Sequence, residues 1–108
     1  MAKLVLKGIG VSAGKATGKV RLVVSAQGLA DFRQGEVLVA RITDPFMTIA
    51  MGRAAAIVCE IGGMTSHPAI VSREMGIPCV VAVKGATKKL RNGFEVAVDG
   101  SKGTVSLK

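Results

Sequence analysis

The stretch AAAIVCEIGGMTSHPAIVSREMGIPCVVAV, residues 54–83, reads as strand, glycine loop, helix and strand. Ala54 to Cys59 is an unbroken apolar run of strand length, the pattern of a strand covered on both faces. Gly62-Gly63 then gives the chain a turn. His67 to Met75 reads as a helix. Pro68 suits its first position, Ala69, Ile70 and Val71 supply apolar surface, and Gly76 followed by Pro78 supplies the stop. Pro78 to Val83 is a second buried strand, so the segment predicts a βαβ unit, right-handed if its strands are parallel. That unit places the chain in the α/β class.

Toward the C-terminus, Phe94 to Val98 and Thr104 to Leu107 alternate as short strands around the turn pair Asp99-Gly100. Toward the N-terminus, Thr43-Asp44-Pro45 is a helix start with Asp44 as N-cap and Pro45 at the first helical position, opening a short helix to about Gly52. Glu36 to Arg41 before it reads as a buried strand. Lys3 to Val24 carries strand-like segments broken by Gly8, Gly10, Gly14 and Gly18, positions of tight turns or close backbone approach. With 108 residues and no linker or repeat, one domain over residues 1–108 is expected.

A hydrophobic fraction of 49% in short runs excludes a membrane-spanning helix, and the apolar stretch between Lys3 and Lys7 is too short for a secretory signal, so a cytoplasmic protein is expected. Cys59 and Cys79 each sit in an apolar run, which fits buried thiols rather than a disulfide framework. One His and two Cys match no metal-ligand spacing, so no metal site is expected on the chain. Fifteen Lys and Arg against seven Asp and Glu give a net charge of +8, which favours anionic partners. The basic residues are scattered and the three aromatics are all Phe, so nucleic acid is not the expected partner.

The single histidine, His67, follows Gly62-Gly63-Met64-Thr65-Ser66 at the start of the predicted helix. A helix N-terminus presents unpaired N–H groups and the positive end of the macrodipole, worth ~0.3 to 1 kcal/mol to an exposed phosphoryl group. Glycine lets the backbone come close, and the Thr65 and Ser66 hydroxyls offer uncharged donors beside the same point. A neutral imidazole has one nitrogen free to attack while the other makes a positioning hydrogen bond. Taken alone, these residues equally describe a capped helix with a surface histidine.

The longer segment from Ile57 to Val81 resembles the phosphohistidine signature of the phosphoenolpyruvate-utilising enzymes: phosphoenolpyruvate synthase, pyruvate phosphate dikinase and enzyme I of the sugar phosphotransferase system. Gly8-Ile9-Gly10-Val11-Ser12-Ala13-Gly14 with Gly18 is similar to the opening glycine pattern of that family, and Val98-Asp99-Gly100 to its closing strand and turn. The resemblance implies a compact swivelling β/β/α domain. It makes His67 the phosphoryl acceptor, through Nε2, with Thr65, Ser66, Gly62 and Gly63 as phosphate-binding positions.

Thr43 resembles a threonine that many members place near the histidine; a hydroxyl capping the helix at Pro45 is the alternative. Arg73 falls at a family-typical basic position, with a solvated helix residue as the competing account. Pro68, Met64, Cys59 and Cys79 depart from the commonest residues, Met64 in the direction of the dikinase version.

The larger members also carry a nucleotide-binding domain and a barrel that binds pyruvate or phosphoenolpyruvate, neither of which fits in 108 residues. The resemblance therefore implies partner domains or subunits that supply Mg2+ and ATP or phosphoenolpyruvate, with no cofactor held by this chain. An excised domain and a small separate protein are both compatible with it. A regulatory domain without catalysis, or a basic nucleic-acid-binding module, are the alternative functions.

Overall fold

The computed structural model describes residues 4–108, so the expected start of the N-terminal strands at Lys3 lies outside the described residues. The chain begins with β1 (Val5–Lys7), β2 (Ile9–Ser12), β3 (Lys15–Leu22), α1 (Ala26–Asp31) and β4 (Val37–Ala40). A 3-10 turn (Pro45–Met47) leads into α2 (Thr48–Arg53), β5 (Ala56–Cys59), α3 (His67–Met75) and β6 (Cys79–Val81). The chain ends with α4 (Ala86–Lys89), β7 (Glu95–Asp99) and β8 (Thr104–Leu107).

All strands join one mixed sheet in the order β1-β8-β7-β3-β4-β5-β6-β2. The stretch β3-β4-β5-β6 is parallel, as the βαβ reading of residues 54–83 requires, and the other pairings are antiparallel. β1 and β2 stand at opposite ends of that order although Gly8 alone separates them, so the sheet must curl until its ends approach. Gly10 and Gly100 permit this approach. A Cβ on Gly10 would strike the Gly100 carbonyl oxygen, and one on Gly100 would strike that of Ser12.

The side-chain alternation of the parallel strands sorts the core into two layers. Val37, Val39, Ala56, Val58 and Val80 face the antiparallel half of the sheet, where Leu6, Val96, Val98 and Val105 meet them. Their neighbours Leu38, Ala40, Ile57, Cys59, Cys79 and Val81 face the opposite way, under the helices, with Phe32, Met51 and Ala69. The result is the expected β/β/α layering. Each fully buried aliphatic contributes about 1.5 to 3 kcal/mol of burial.

Two boundaries moved for local reasons. The strand expected to reach Val83 stops at Val81 because Ala82 takes a positive φ of 57°, which no ladder accommodates. The helix expected from Pro45 divides at Thr48 into the 3-10 turn and α2. Asp44 caps it as expected, its Oδ1 accepting the Phe46 N–H at 2.8 Å. Two short helices, α1 and α4, were absent from the sequence reading. Among the described residues no helix is long and apolar enough to cross a membrane.

Candidate functional site

The parallel strands direct their carboxyl ends to one edge of the sheet, where the loops preceding α2 and α3 meet. From the first loop comes Thr43, 4% exposed; from the second comes His67, the half-buried first residue of α3. The Thr43 Oγ1 lies 2.8 Å from His67 Nδ1. If Nδ1 carries the ring proton and donates it to Thr43, Nε2 keeps its lone pair and is the nucleophilic nitrogen. Thr43 thus holds the histidine. Its hydroxyl does not cap the helix at Pro45, a task that falls to Asp44.

Ser66 is the N-cap of α3, with extended backbone at φ −71° and ψ 161°. Its hydroxyl, however, donates to the Gly63 carbonyl oxygen at 2.8 Å, and its N–H donates to the same oxygen at 3.1 Å. In this conformation Ser66 closes the loop rather than offering its proton to an anion. Thr65 stands exposed beside it. Pro68 is the second helical residue rather than the first, and it brings no N–H to the open end.

The two glycines play different parts. Gly62 has φ +130°, and a Cβ there would lie 2.9 Å from Ser66 Oγ, so glycine is needed on both counts. Gly63 has no atom within 4 Å of a Cβ position, which leaves open space beside the loop. At the other end of α3, Gly76 adopts φ 70° and ψ 31° as the left-handed cap.

Arg73 is more than a solvated helix residue. Although exposed, its guanidinium donates to the Met64 carbonyl oxygen and, at 3.2 Å, to that of Val11, tying the histidine loop to β2. Its spacing of six residues from His67 was legible, but the two carbonyl partners depend on where β2 lies. Glu60, also not singled out from the sequence, accepts from the Thr87 hydroxyl and N–H, which holds its carboxyl below the usual range and fixes α4 to the end of β5.

The two cysteines are free and buried. Burial pushes both thiols up, Cys79 to about 11, with the Ser72 hydroxyl and the Arg73 charge pulling the other way. Ser72 is fully buried against Cys79 without a hydrogen bond of regular geometry, so its effect on the thiol is the weaker one. Neither thiol is an accessible nucleophile. Among the described residues no three His, Cys, Asp or Glu side chains gather as a metal site.

Residues 32–103 match the family described as PEP-utilising enzyme, mobile domain. Over 104 residues the chain is 52% identical to the phosphoenolpyruvate synthase of Pyrococcus furiosus, a match covering 96% of this chain and 13% of that protein. The chain therefore spans a small part of the curated relatives it matches. Among solved structures it resembles Enzyme I (nEIt), with a TM-score of 0.63 and 33% identity over 74% of this chain and 33% of that one. It also resembles aconitase X of Thermococcus kodakaraensis, with a TM-score of 0.73, 97% and 98% of the two chains covered and 21% identity, a likeness of fold alone. With a match running from Phe32, beneath the helices, through Thr43 and His67 to Gly103 at the closing turn, the chain belongs to the mobile-domain family of the PEP-utilising enzymes.

Proposed function

We propose that the chain is a phosphohistidine carrier, with His67 as the residue that accepts a phosphoryl group at one site and surrenders it at another. The observation that carries this reading is the 2.8 Å contact between Thr43 Oγ1 and His67 Nδ1 at the start of α3. It leaves Nε2 as the free nitrogen, at the positive end of the helix macrodipole. The Nε2 lone pair forms the P–N bond while the donor's P–O bond breaks and its oxygen leaves with the electron pair. Nδ1 keeps its proton, so the bond to Thr43 persists through both states.

Among the described residues no acidic cluster gathers to hold Mg2+, which together with ATP or phosphoenolpyruvate belongs in this reading to partner domains or subunits. Thr65 is the uncharged donor beside the phosphoryl group. Ser66 joins it by turning its hydroxyl away from Gly63, and the open space at Gly63 gives the group room. The net charge of +8 assists docking to anionic sites, and the domain swivels between them. A phosphoenolpyruvate-linked carrier fits a cytoplasmic protein.

Phosphoramidate, a small phosphoryl donor that phosphorylates histidine without a partner enzyme, tests the reading directly. Wild type takes up an acid-labile, base-stable phosphate and His67→Ala takes up none. Equal uptake by the two proteins refutes the carrier.

A further inference from the structure

Among the described residues eleven large apolar side chains are left exposed, and six of them, Val24, Ile42, Phe46, Ile49, Ile61 and Met64, follow the carboxyl ends of β3, β4 and β5. This is the edge that carries Thr43 and His67. Phe46 and Ile49 are the extreme cases, 89% and 81% exposed. Burying either side chain would be favourable, a gain that the fold forgoes.

Phe46 is not exposed through looseness. Pro45 fixes the backbone before it, Asp44 Oδ1 accepts its N–H at 2.8 Å, and the Thr48 hydroxyl donates to the Pro45 carbonyl oxygen at 2.9 Å. With the backbone already held in place, less entropy is lost when the ring it carries binds. Beside it lies a cleft of about 470 Å³, lined by Val24, Leu29, Ile42 and Met47 together with the charged Arg41, Asp44 and Glu60. Ile42 and Asp44, which both line this cleft, flank Thr43 in the chain, so the cleft adjoins the histidine.

We propose that Phe46, with Ile49 on the next turn and the cleft beside them, is the anchor on which the domain presenting phosphoenolpyruvate docks. This rests on the carrier reading. A donor must bring its phosphorus to bonding distance of Nε2, so its domain covers the surface next to His67, where these six exposed apolar residues lie. The matched relative is long enough to hold such a domain, since this chain spans 13% of it. Anchors of this kind are rigid aromatics at the centre of an interface, and they act on docking without touching the reacting atoms.

A chimera tests the anchor: Pyrococcus furiosus phosphoenolpyruvate synthase with the matched 104-residue segment replaced by this chain, incubated with radiolabelled phosphoenolpyruvate. Phe46→Asp in the chimera is expected to slow labelling of His67 about tenfold or more, and Ile49→Asp to act in the same direction. Phosphoramidate labelling of the Phe46→Asp and Ile49→Asp chains is expected to match wild type, because that donor needs no docking. Labelling from phosphoenolpyruvate at the wild-type rate in both variants overturns the anchor. So does an equal slowing with phosphoramidate, which would place Phe46 in the folding or the chemistry. A defect confined to transfer from nucleotide assigns the surface to a different domain and overturns it as well. Label that survives His67→Ala overturns the carrier reading, and the anchor with it.

Discussion

The Thr43 hydroxyl meets Nδ1 of His67 at 2.8 Å across 24 residues of chain, and the two come from separate loops at one edge of the sheet. The contact engages Nδ1 and leaves Nε2 without that partner. Replacing Thr43 by Val keeps the volume and removes the oxygen, so the ring loses the partner that orients it. Thr43→Val is expected to lower phosphoramidate labelling of His67 about 10-fold, the scale of one lost hydrogen bond to a group gaining charge, while Thr43→Ser retains most of it. Equal rates for Thr43→Val and wild type would remove Thr43 from the mechanism.

The βαβ unit was legible in residues 54–83 because two-sided burial leaves a plain mark: Ala56 to Cys59 and Cys79 to Val81 are all buried. The helices α1 and α4 left no such mark. α1 buries none of its six residues, and α4 is a four-residue turn that buries Ala86 against the space between the two halves of the sheet. The site shows the same division. The place of His67 at a helix start depends on neighbouring residues and could be read, whereas the Arg73 bond to Val11 joins residues 62 apart and needs the sheet to bring β2 alongside α3. Nor does composition reveal that Ser66 turns its hydroxyl toward Gly63, since an N-cap serine ordinarily reaches into its helix.

Gly62 and Gly63 are chemically identical neighbours with different structural demands. Alanine at 62 must hold φ +130° and fit a Cβ 2.9 Å from Ser66 Oγ, whereas alanine at 63 meets open space. Gly62→Ala is expected to destabilise the protein by about 1 to 3 kcal/mol in urea unfolding and to slow His67 labelling by displacing Ser66. Gly63→Ala is expected to stay within about 0.5 kcal/mol of wild type, a typical value for a change away from packed or strained positions. The reverse order of stabilities would contradict the loop geometry described here.

Cys59 and Cys79 lie fully buried in the layer under the helices, and burial holds both thiols protonated at neutral pH. Iodoacetamide at pH 7.5 is expected to leave both unmodified in the folded protein and to alkylate both in 6 M guanidinium, with mass spectrometry reporting zero and two adducts (about that pH and denaturant strength serving only to ionise and expose the thiols). Rapid alkylation of the native chain would show that the helix layer opens far more readily than its packing implies.

Acid should loosen the attachment of α4 before it reaches the central sheet. The Thr87 hydroxyl and N–H hold the Glu60 carboxyl below its ordinary range, so the folded form binds its proton less readily than the unfolded chain. A depressed carboxyl contributes stability that is fully present above the unfolded value, near 4.3 on the scale of model peptides, and is lost as pH falls through the folded one. Glu60→Gln keeps the shape but not the charge. It is expected to cost roughly 1 kcal/mol at pH near 7, the size of a charge-assisted hydrogen bond discounted for partial exposure. The cost should shrink toward zero as acid protonates Glu60 in the wild type, so plots of stability against pH for the two proteins converge at low pH. Curves that run parallel down to about pH 3 would mean that the Thr87 contact does not depend on the Glu60 charge.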